Sequence, residues 1–541
     1  MFYRKLVVCL LFALVAGCGG GSGSTTPASG SATAPPIAPP TPSMSVRSAA
    51  VARTSALGTS INIELIAQAS NFTPAATLYA SASDNLGVLQ SPVKVSVNDG
   101  AYTFSVDTIN TVPSGHYSGN LTLKLWRDQA LTIPETIPSI TTTYDLTVMA
   151  RENAWPGDKI TPLTAMSGAA DWSTFQGNNA HTGYVPVDVK PDQIQLRWKR
   201  GAVNNSSTGY NTLMSSLVTS NNMFYASYGN KLSAYKEHDG STVWNYDVSD
   251  LKYPSVNPPA VAGGVVYMAA GQQSSTYMFA FDAANGSIRF KSQMSSQWEN
   301  YLAPVVQDSA VYTSAGTYGG MYGFNQTGDR LFFAGNLSQT SMWSPAVDAR
   351  AVYAYTGDAL TMYEPKSGLV LATIKDSKFQ NYTYEVKGSA VIGTNGGVYA
   401  APYANAFING GGIGNALNRF DTIKGFLDWS VNGVYAVTPA YANGVLYAPN
   451  NNPYRVEARA EGDGSLTWYW TPPQSGETSF SSSPIVTKNM LFVSTNLNTY
   501  AIDLRSHKVV WSYPASGTLA ISQNGILYIQ NTDALVSINL K

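Results

Sequence analysis

Residues 196–200 read LRWKR, and this short stretch decides how the rest of the sequence is organised. The same kind of strand, with a central tryptophan, recurs downstream as STVWNY (241–246), SLTWYW (465–470) and KVVWSY (508–513). Each downstream copy follows an apolar strand and a Gly-rich or polar turn, whereas residues 196–200 have no such prelude. The stretch is therefore interpreted as the end of a repeating unit whose other strands do not lie upstream of it.

An apolar strand with a central aromatic residue recurs through the rest of the chain. Successive aromatic positions are separated by 36 (492 to 528) to 48 (399 to 447) residues, close to the roughly 40–50 residues of a four-stranded propeller blade. Each unit has the pattern of four short strands, of which the first often opens with Pro and the last often carries Trp. The recurring positions are Tyr225, Tyr267, Tyr312, Tyr353, Tyr399, Tyr447, Phe492 and Tyr528.

The eighth unit ends with the chain after only three strands. In a ring the eighth unit lies beside the first, so the segment that leads into the first unit passes the vacant outer position. Residues 195–200 fit that position, and pairing there joins the two ends of the array and removes an open sheet edge. The sequence therefore predicts an eight-bladed β-propeller of four-stranded blades over residues 171–541, whereas an open solenoid would need polar caps at both ends.

The chain begins with a signal peptide over residues 1–17. A basic pair at 4–5 precedes an apolar run over 6–15, which is about half of the roughly 20 residues that a spanning helix needs. Residues 15–18, VAGC, are similar to the lipobox of bacterial lipoproteins, which implies cleavage before Cys18 and its lipidation. Gly19 after the cysteine points to the outer membrane within that class. Residues 18–44 are rich in Gly, Ser and Pro and are expected to be a disordered tether.

Residues 45–150 contain short segments of alternating polarity, separated by turn residues about every ten to fifteen positions. Examples are SINIELIAQ (60–68), AYTFSVD (101–107) and GNLTLKLWRD (119–128). This pattern predicts a two-sheet antiparallel β-sandwich, immunoglobulin-like in kind. Residues 151–170 are then expected to link the sandwich to the propeller, and the whole protein is predicted to be all-β.

Residues 171–541 resemble the pyrroloquinoline-quinone-like β-propeller repeat family. The resemblance rests on DWSTFQGNNAHTGY (171–184), on LRWK (196–199) and on a repeated Asp, Gly and Trp turn, as in AYKEHDGSTVW (234–244). The family includes quinone-dependent dehydrogenases and cofactor-free outer-membrane lipoproteins such as the propeller subunit of the β-barrel assembly machinery. The resemblance implies that a dehydrogenase would hold its quinone against a disulfide of adjacent cysteines and beside Ca²⁺, and this propeller contains no cysteine. We therefore expect neither pyrroloquinoline quinone (PQQ) nor Ca²⁺ as a cofactor.

The composition argues against several kinds of partner and site. The 32 Lys and Arg balance 33 Asp and Glu, so the net charge of -1 attracts neither nucleic acid nor an anionic membrane surface. Cys9 leaves with the signal peptide and Cys18 is the predicted lipidation site, so no thiol remains for a disulfide, a Cys-based zinc site, an iron–sulfur cluster or a covalently attached haem. The four histidines, at 116, 181, 238 and 507, lie too far apart in sequence to predict a metal site.

Two recurring residue types have both a functional and a structural interpretation. Asp282, Asp421 and Asp503 stand where a third strand meets a turn, and could act in acid–base chemistry or bind Ca²⁺. Recurrence favours the alternative that they accept hydrogen bonds from the N–H groups of their own turns. The repeated tryptophans could line a ligand groove, but packing between neighbouring blades is favoured; they are Trp244, Trp429, Trp468 and Trp511.

Loop length distinguishes the two faces of the predicted propeller. The turns between first and second strands and between third and fourth strands share one face and are short, whereas the remaining connections share the other face. The longer connections are 201–214, 247–257, 292–302, 402–418, 449–454 and 471–482. Aromatic residues on them are candidates for binding a partner, with mutual packing as the alternative; they are Tyr210, Tyr253, Trp298, Tyr301, Tyr403, Phe407, Tyr454 and Phe480.

These observations predict a lipid-anchored protein of the bacterial cell envelope, at the outer membrane, with a monomeric propeller. The leading function is a non-enzymatic scaffold that binds an envelope protein or peptide through the face with the longer loops, by strand addition to a blade edge as one mode. The alternative is binding or processing of a polysaccharide at the same face. A PQQ-dependent dehydrogenase is disfavoured, because the propeller lacks cysteine.

Overall fold

The computed structural model describes most of the chain beyond residue 39. The described residues are 40–47, 51–56, 60–72, 77–98, 101–109, 112, 115–149, 160–201, 217–297, 302–379, 385–401, 416–435, 437–474 and 476–541. They contain 42 strands and three short 3₁₀ helices, at Phe175–Gly177, Pro191–Gln193 and Gln273–Ser275. The protein is therefore all-β, as the sequence predicts. None of the described helices is long and apolar enough to cross a membrane.

The N-terminal unit consists of two four-stranded sheets that enclose one core. Its strands are β1 (Ser43–Val46), β2 (Val51–Ala56), β3 (Asn62–Ser70), β4 (Tyr79–Asp84), β5 (Lys94–Asn98), β6 (Ala101–Asp107), β7 (Gly115–Trp126) and β8 (Ile140–Met149). The sheet orders are β1-β3-β6-β5 and β2-β8-β7-β4. Alternate residues of β6 are buried, namely Tyr102, Phe104 and Val106, as expected for strands that face a core on one side.

The prediction of a purely antiparallel sandwich is wrong for one pair of strands. Strands β2 and β8 are parallel, with Val51 opposite Tyr144. The chain changes sheet between β1, which pairs with β3, and β2, which borders β8. Because β2 and β8 are far apart in sequence, no hairpin connects them and no antiparallel register is imposed. Strand β1 begins at Ser43, two residues before the predicted start of the sandwich.

The C-terminal unit is a propeller of consecutive four-stranded sheets. Sheet 1 contains β10 (Val218–Ser220), β11 (Met223–Tyr228), β12 (Lys231–Lys236) and β13 (Thr242–Asp247), and sheet 2 contains β14 (Ala260–Ala262), β15 (Val265–Ala270), β16 (Thr276–Asp282) and β17 (Ile288–Met294). Sheet 3 contains β18 (Val305–Gln307), β19 (Ala310–Ser314), β20 (Met321–Phe324) and β21 (Arg330–Ala334), and sheet 4 contains β23 (Ala346–Val347), β24 (Val352–Tyr355), β25 (Ala359–Tyr363) and β26 (Val370–Lys375). A short parallel pair, β22 (Ser341–Ser344) and β27 (Glu385–Ser389), lies between sheets.

Propeller sheets 5 to 8 follow the same pattern, except that the last one takes its outer strand from ahead of sheet 1. They are β28 (Val391–Ile392), β29 (Gly397–Ala400), β30 (Ala416–Asp421), β31 (Phe426–Asn432); β32 (Ala440–Ala442), β33 (Val445–Asn451), β34 (Tyr454–Ala460), β35 (Leu466–Trp470); β36 (Ile485–Val486), β37 (Met490–Ser494), β38 (Thr499–Asp503), β39 (Val509–Tyr513); and β40 (Thr518–Ile521), β41 (Ile526–Gln530), β42 (Ala534–Asn539), β9 (Gln195–Gly201).

The pairing of β9 with β42 confirms the role predicted for residues 195–200. The two strands are antiparallel, with Trp198 opposite Ser537. The indole Nε1–H of Trp198 donates to the carbonyl oxygen of Glu237 in sheet 1 at 3.0 Å. The same bond joins Trp244 to Ala283 at 2.9 Å, between sheets 1 and 2. Sheet 8 therefore meets sheet 1 through the contact that joins two sheets inside the array.

Residues 171–187, the leading segment, run across the first strands of the propeller. Backbone hydrogen bonds join Trp172 and Ser173 to sheets 1 and 2, and the side chain of Asn179 donates to sheet 3 at 2.6 Å. Later residues of the segment bond in chain order to sheets 4, 5, 6 and 7, through Val347, Ile392, Tyr441 and Val486. Just ahead of the segment, the N–H of Met166 donates to Gln523 in sheet 8. These bonds tie one piece of chain to every sheet.

Candidate functional site

The structure supports two different faces of the propeller. The first and second strands of sheets 1, 2 and 3 are joined by the two-residue turns 221–222, 263–264 and 308–309. Connections between sheets are longer, as at 248–259 and 471–484. We call the face that carries the connections between sheets the long-loop face, and the other the short-turn face.

One connection predicted to be long is a tight hairpin, so the prediction for residues 449–454 is wrong. Strands β33 and β34 remain paired up to Asn451 and Tyr454, and only two residues form the turn. The run of polar residues suggests a loop, but the Asn450 side chain is buried. Its Oδ1 accepts from the N–H of Val434 at 2.9 Å and its Nδ2 donates to Glu457 at 3.3 Å. These bonds satisfy the amide and allow a polar residue to lie in the strand.

Three of the eight candidate aromatic residues lie within the described residues. Tyr454 and Phe480 contact each other, with ring centroids 4.7 Å apart, and Phe480 is buried. Tyr253 is half-buried beside the Lys252 ammonium, which lies 5.1 Å from its ring centroid. Mutual packing, the alternative in the sequence analysis, is thus seen for the first two. Outside the described residues lie Tyr210, Trp298, Tyr301, Tyr403 and Phe407, as does the predicted lipidation site Cys18.

A buried carboxylate holds the connection between sheets 6 and 7. Glu477 lies in this connection and accepts hydrogen bonds from Tyr500 OH at 3.0 Å and from Asn498 Nδ2 at 3.1 Å. Thr495 donates to the same carboxylate through its hydroxyl. All three donors belong to sheet 7. The connection is therefore fixed to the next sheet by several charge-assisted bonds, which are stronger than neutral ones.

A second carboxylate, Glu457, lies in the middle of β34 and bonds to the connection between sheets 5 and 6. It is bonded to Arg459 at 2.7 Å, to Arg455 at 2.8 Å and to the hydroxyl of Tyr435 at 2.8 Å. Burial alone would raise its pKa, but the bonds from Arg459, Tyr435 and Arg455 outweigh burial and lower the pKa. The group is thus held ionised and its oxygens are occupied by neighbouring donors. This arrangement fixes the face and leaves no free acceptor for acid–base chemistry.

Asp376 fixes the connection after β26 in a third way. Its Oδ2 accepts from Tyr355 OH at 2.7 Å and from Asn418 Nδ2 at 2.6 Å, which belongs to the next sheet. Burial raises the pKa of Asp376, and the bond from Tyr355 only partly opposes that change. Glu477, Glu457 and Asp376 therefore act as structural carboxylates on the long-loop face.

The recurring aspartates at the third strands confirm their structural interpretation. Asp421 accepts from the N–H groups of Ile423 at 3.0 Å and Lys424 at 2.9 Å, both in its own turn. Asp503 accepts from the N–H of Ser506 at 2.7 Å. Asp282 accepts from its own turn and from Arg289 Nη2 at 2.8 Å, and these bonds lower its pKa. Each carboxylate is used by the turn that contains it.

Sequence reasoning missed the special position of His181 in the leading segment. Its side chain is fully buried, Nδ1 lies 3.1 Å from the carbonyl oxygen of Ala390, and the ring meets Phe175 edge-on at 5.3 Å. Among the described residues its Nε2 has no hydrogen-bond partner. Burial lowers the pKa of His181 to about 4. The imidazole is therefore neutral at pH 7, and its only signal in the sequence is a histidine amid small polar residues.

No cluster of three or more His, Cys, Asp or Glu able to hold a metal occurs in the part of the chain that the structure describes.

Residues 181–409 match the family described as outer membrane protein assembly factor BamB. This match supports the predicted resemblance of the propeller to the PQQ-like repeat family. No curated protein matches the chain.

Solved structures give similar folds at low identity. BamB from Moraxella catarrhalis is 15% identical, with a TM-score of 0.49, over 64% of this chain and 97% of that one. A quinohemoprotein alcohol dehydrogenase from Pseudomonas putida is 11% identical, with a TM-score of 0.49, over 69% and 80%. A computationally designed protein is 11% identical, with a TM-score of 0.47, over 63% and 99%. At such values the three structures say nothing about function.

Proposed function

We propose that this protein is a non-enzymatic scaffold of the bacterial cell envelope that binds a protein or peptide through its long-loop face. The family match over residues 181–409, to a model described as an outer membrane protein assembly factor, carries the proposal. The described part of the face supports it, because Glu477, Glu457 and Asp376 hold three of its connections by several hydrogen bonds each. A rigid surface loses little conformational entropy on binding, which favours recognition of a partner.

The finer architecture belongs to the same proposal. We infer that the eight sheets form one closed ring, because sheet 8 takes β9 and the leading segment bonds to the sheets in order. The N-terminal unit would be an immunoglobulin-like sandwich, carried on a tether from a lipid at Cys18. Such an anchor would place the propeller near the outer membrane, where an assembly factor acts.

Site-specific crosslinking in intact envelopes tests the scaffold function. A photoreactive residue at position 253, on the connection after β13, should give an adduct with one envelope protein. Trp298→Ala, at a position that the sequence predicts to lie on the same face, should reduce that adduct at least about fivefold, since an aromatic residue at the centre of an interface contributes about 1–3 kcal/mol to binding. Tyr469→Ala is the matched control, because Tyr469 is an exposed aromatic residue on the outer strand β35.

The outcomes separate the candidate functions. Loss of the adduct in Trp298→Ala, with retention in Tyr469→Ala, supports a protein-binding long-loop face. Absence of any protein adduct, together with retention on a polysaccharide column, would support the carbohydrate alternative. Dye reduction with added quinone and Ca²⁺ would revive the dehydrogenase.

A further inference from the structure

An aromatic ring on the outer strand of one propeller sheet repeatedly packs against the next sheet. The ring lies over the turn between the third and fourth strands of that sheet. A Cβ atom placed on Gly286 would lie 2.7 Å from the ring of Trp244, and one on Gly328 would lie 2.6 Å from the ring of Phe290. Glycine at these turns therefore makes room for the ring of the preceding sheet.

The contact occurs at six junctions between sheets. Trp468 stacks on His507, in place of a glycine, with ring centroids 4.3 Å apart. The remaining aromatic residues face turn glycines in the same way as Trp244 and Phe290; the pairs are Trp198 with Gly240, Phe332 with Gly368 and Trp429 with Gly464. The aromatic position is also equivalent in register, since each of these residues faces the third-strand residue just before a β-bulge.

The junction between sheets 4 and 5 lacks the ring. Its register position holds Ala372, which pairs with Met362 just before the bulge of sheet 4. The turn of sheet 5 nevertheless keeps its glycine, Gly425, whose φ of 79° matches that of the other turns. No atom lies within 4 Å of a Cβ placed on Gly425. Met362 is buried on the same face and does not fill that space. We call the space between Ala372 and Gly425 the ring slot.

The surface around the ring slot is apolar and exposed. Leu369 is 68% exposed and Leu371 is 52% exposed on the side of sheet 4, while Ile423 is 70% exposed on the side of sheet 5. Strand β26 is the outer strand of its sheet, and β25 is its one paired neighbour among the described residues. Three consecutive exposed apolar residues, 369–371, thus lie at the start of a strand whose outer edge is free. Such an edge is a template for another strand.

Four lysines lie at the ends of β26 and in the turn beside Gly425. Lys366, Lys375 and Lys378 form no close ion pair within the described residues, although the charge of Lys366 acts on the nearby carboxylate of Glu364. Lys424 pairs with Asp421 at 3.4 Å. Glu364 accepts hydrogen bonds from its own turn, at 2.7 Å from the N–H of Ser367. The basic side chains lie at both ends of β26, so a segment laid along this edge gains from carboxylates near its own ends.

We propose that the ring slot receives an aromatic side chain from an extended, acidic segment of a partner protein that pairs with the free edge of β26. The six filled junctions show the occupant that such a space accepts in this fold, namely an aromatic ring on a strand beside a glycine turn. Burial of a ring removes about 150–250 Å² from water. The slot adjoins a turn of the short-turn face, so this site is separate from the long-loop face and independent of its proposed function.

Fluorescence anisotropy with a labelled peptide tests the slot on the whole protein. The probe is a nine-residue peptide with a central Trp, flanked by Thr and Val, and with Asp or Glu at both ends; its control has Ala in place of Trp. The Trp peptide should bind at least about tenfold more tightly than the Ala peptide, because only it can fill the slot. Binding should also weaken as salt concentration rises.

A large side chain of this protein that fills the slot should weaken peptide binding. Ala372→Trp restores the residue type that the other junctions carry and should weaken the Trp peptide at least about tenfold. Ile288→Trp, which adds the same bulk to an exposed position of β17, is the matched control and should leave binding unchanged. Leu371→Asp is a second variant, at an exposed position that should not affect folding. Its negative charge should weaken binding of the acidic peptide, which keeps the test valid even if Ala372→Trp fails to fold.

Three results would overturn the proposal. The first is no binding of the Trp peptide up to about 1 mM, a concentration at which even weak contacts register. The second is that the protein binds the Trp and Ala peptides with equal affinity, or that the Trp peptide binds the wild type and both slot variants with equal affinity. The third is self-association of the protein that Ala372→Trp removes, which would make a second copy of this chain the occupant. Trp298→Ala should not change peptide binding, so failure here is distinct from failure of the long-loop face.

Discussion

Replacement of Trp198 by Ala should open the propeller where its two ends meet. The Trp198 side chain is 1% exposed and lies 5.8 Å from the Phe224 ring and 6.0 Å from the Tyr528 ring. Truncation of a buried Trp to Ala costs about 3–5 kcal/mol. The change also leaves the Glu237 carbonyl without its indole donor, at about 1–3 kcal/mol for a buried acceptor. We therefore expect a loss of about 4 kcal/mol or more at this junction.

Native-state hydrogen exchange measures that loss where it occurs. The amides of β42 that pair with β9 should exchange about a thousandfold faster in Trp198→Ala, since about 1.4 kcal/mol corresponds to a factor of ten. Trp244→Ala removes the equivalent ring and indole bond between sheets 1 and 2. It should accelerate exchange in those two sheets and leave β42 protected.

One result would refute the reasoning. If the β42 amides of Trp198→Ala kept their protection while Trp244→Ala opened its own junction, β9 would not be required for closure. Circular dichroism at 25 °C should confirm that both variants retain their strands, so that the exchange reports local opening.

Three further predictions test individual contacts. Burial lowers the pKa of His181 to about 4, so the unfolded chain binds more protons than the folded chain between that pH and about 6.5. The free energy of unfolding should therefore fall by up to about 3 kcal/mol as the pH drops through this window. His181 has a positive φ, which Asn tolerates, and His181→Asn should remove this pH dependence in urea titrations. Gly286→Ala and Gly425→Ala both place Cβ at a positive φ, yet only the first meets a ring, at 2.7 Å; thermal melts should show the first to be less stable by about 1 kcal/mol or more. Glu477→Gln places an amide NH₂ group beside groups that already donate hydrogen bonds. It should lower the free energy of unfolding by about 1–3 kcal/mol and speed proteolysis of residues 471–482.

The repeat and its closure could be predicted because both depend on local patterns. An aromatic position every 36 to 48 residues (492 to 528 and 399 to 447) follows from the four-stranded unit. A missing last strand and a spare matching strand then leave one economical arrangement, in which β9 pairs with β42. Turn aspartates such as Asp421 were also predictable, since their hydrogen bonds reach only two or three residues along the chain.

Features that depend on distant partners could not be predicted. The parallel pairing of β2 with β8 joins residues about a hundred positions apart and leaves no local pattern. The strand continues through Asn450 because Val434 and Glu457 satisfy its amide, which the polar run alone does not reveal. The candidate aromatic residues share only their place on predicted loops, and this does not reveal what they contact. Tyr454 and Phe480 pack against each other.

The two devices that join the ends of the propeller use few residues of the long-loop face. Strand β9 closes sheet 8 at the rim. Just after the leading segment, the N–H of Val189 donates at 2.9 Å to Oδ1 of Asn489, in the short turn of sheet 7. The leading segment bonds to the last residues of three connections between sheets, through Thr174 to Pro304, Gln176 to Pro439 and His181 to Ala390. Side-chain bonds of Glu477, Glu457 and Asp376 hold described connections of the same face. Residues of that face outside these bonds can change without loss of closure. The same holds at the ring slot, where Ala372 replaces an aromatic ring while the sheet keeps its four strands. Surfaces that the fold does not need are the ones on which binding can be built.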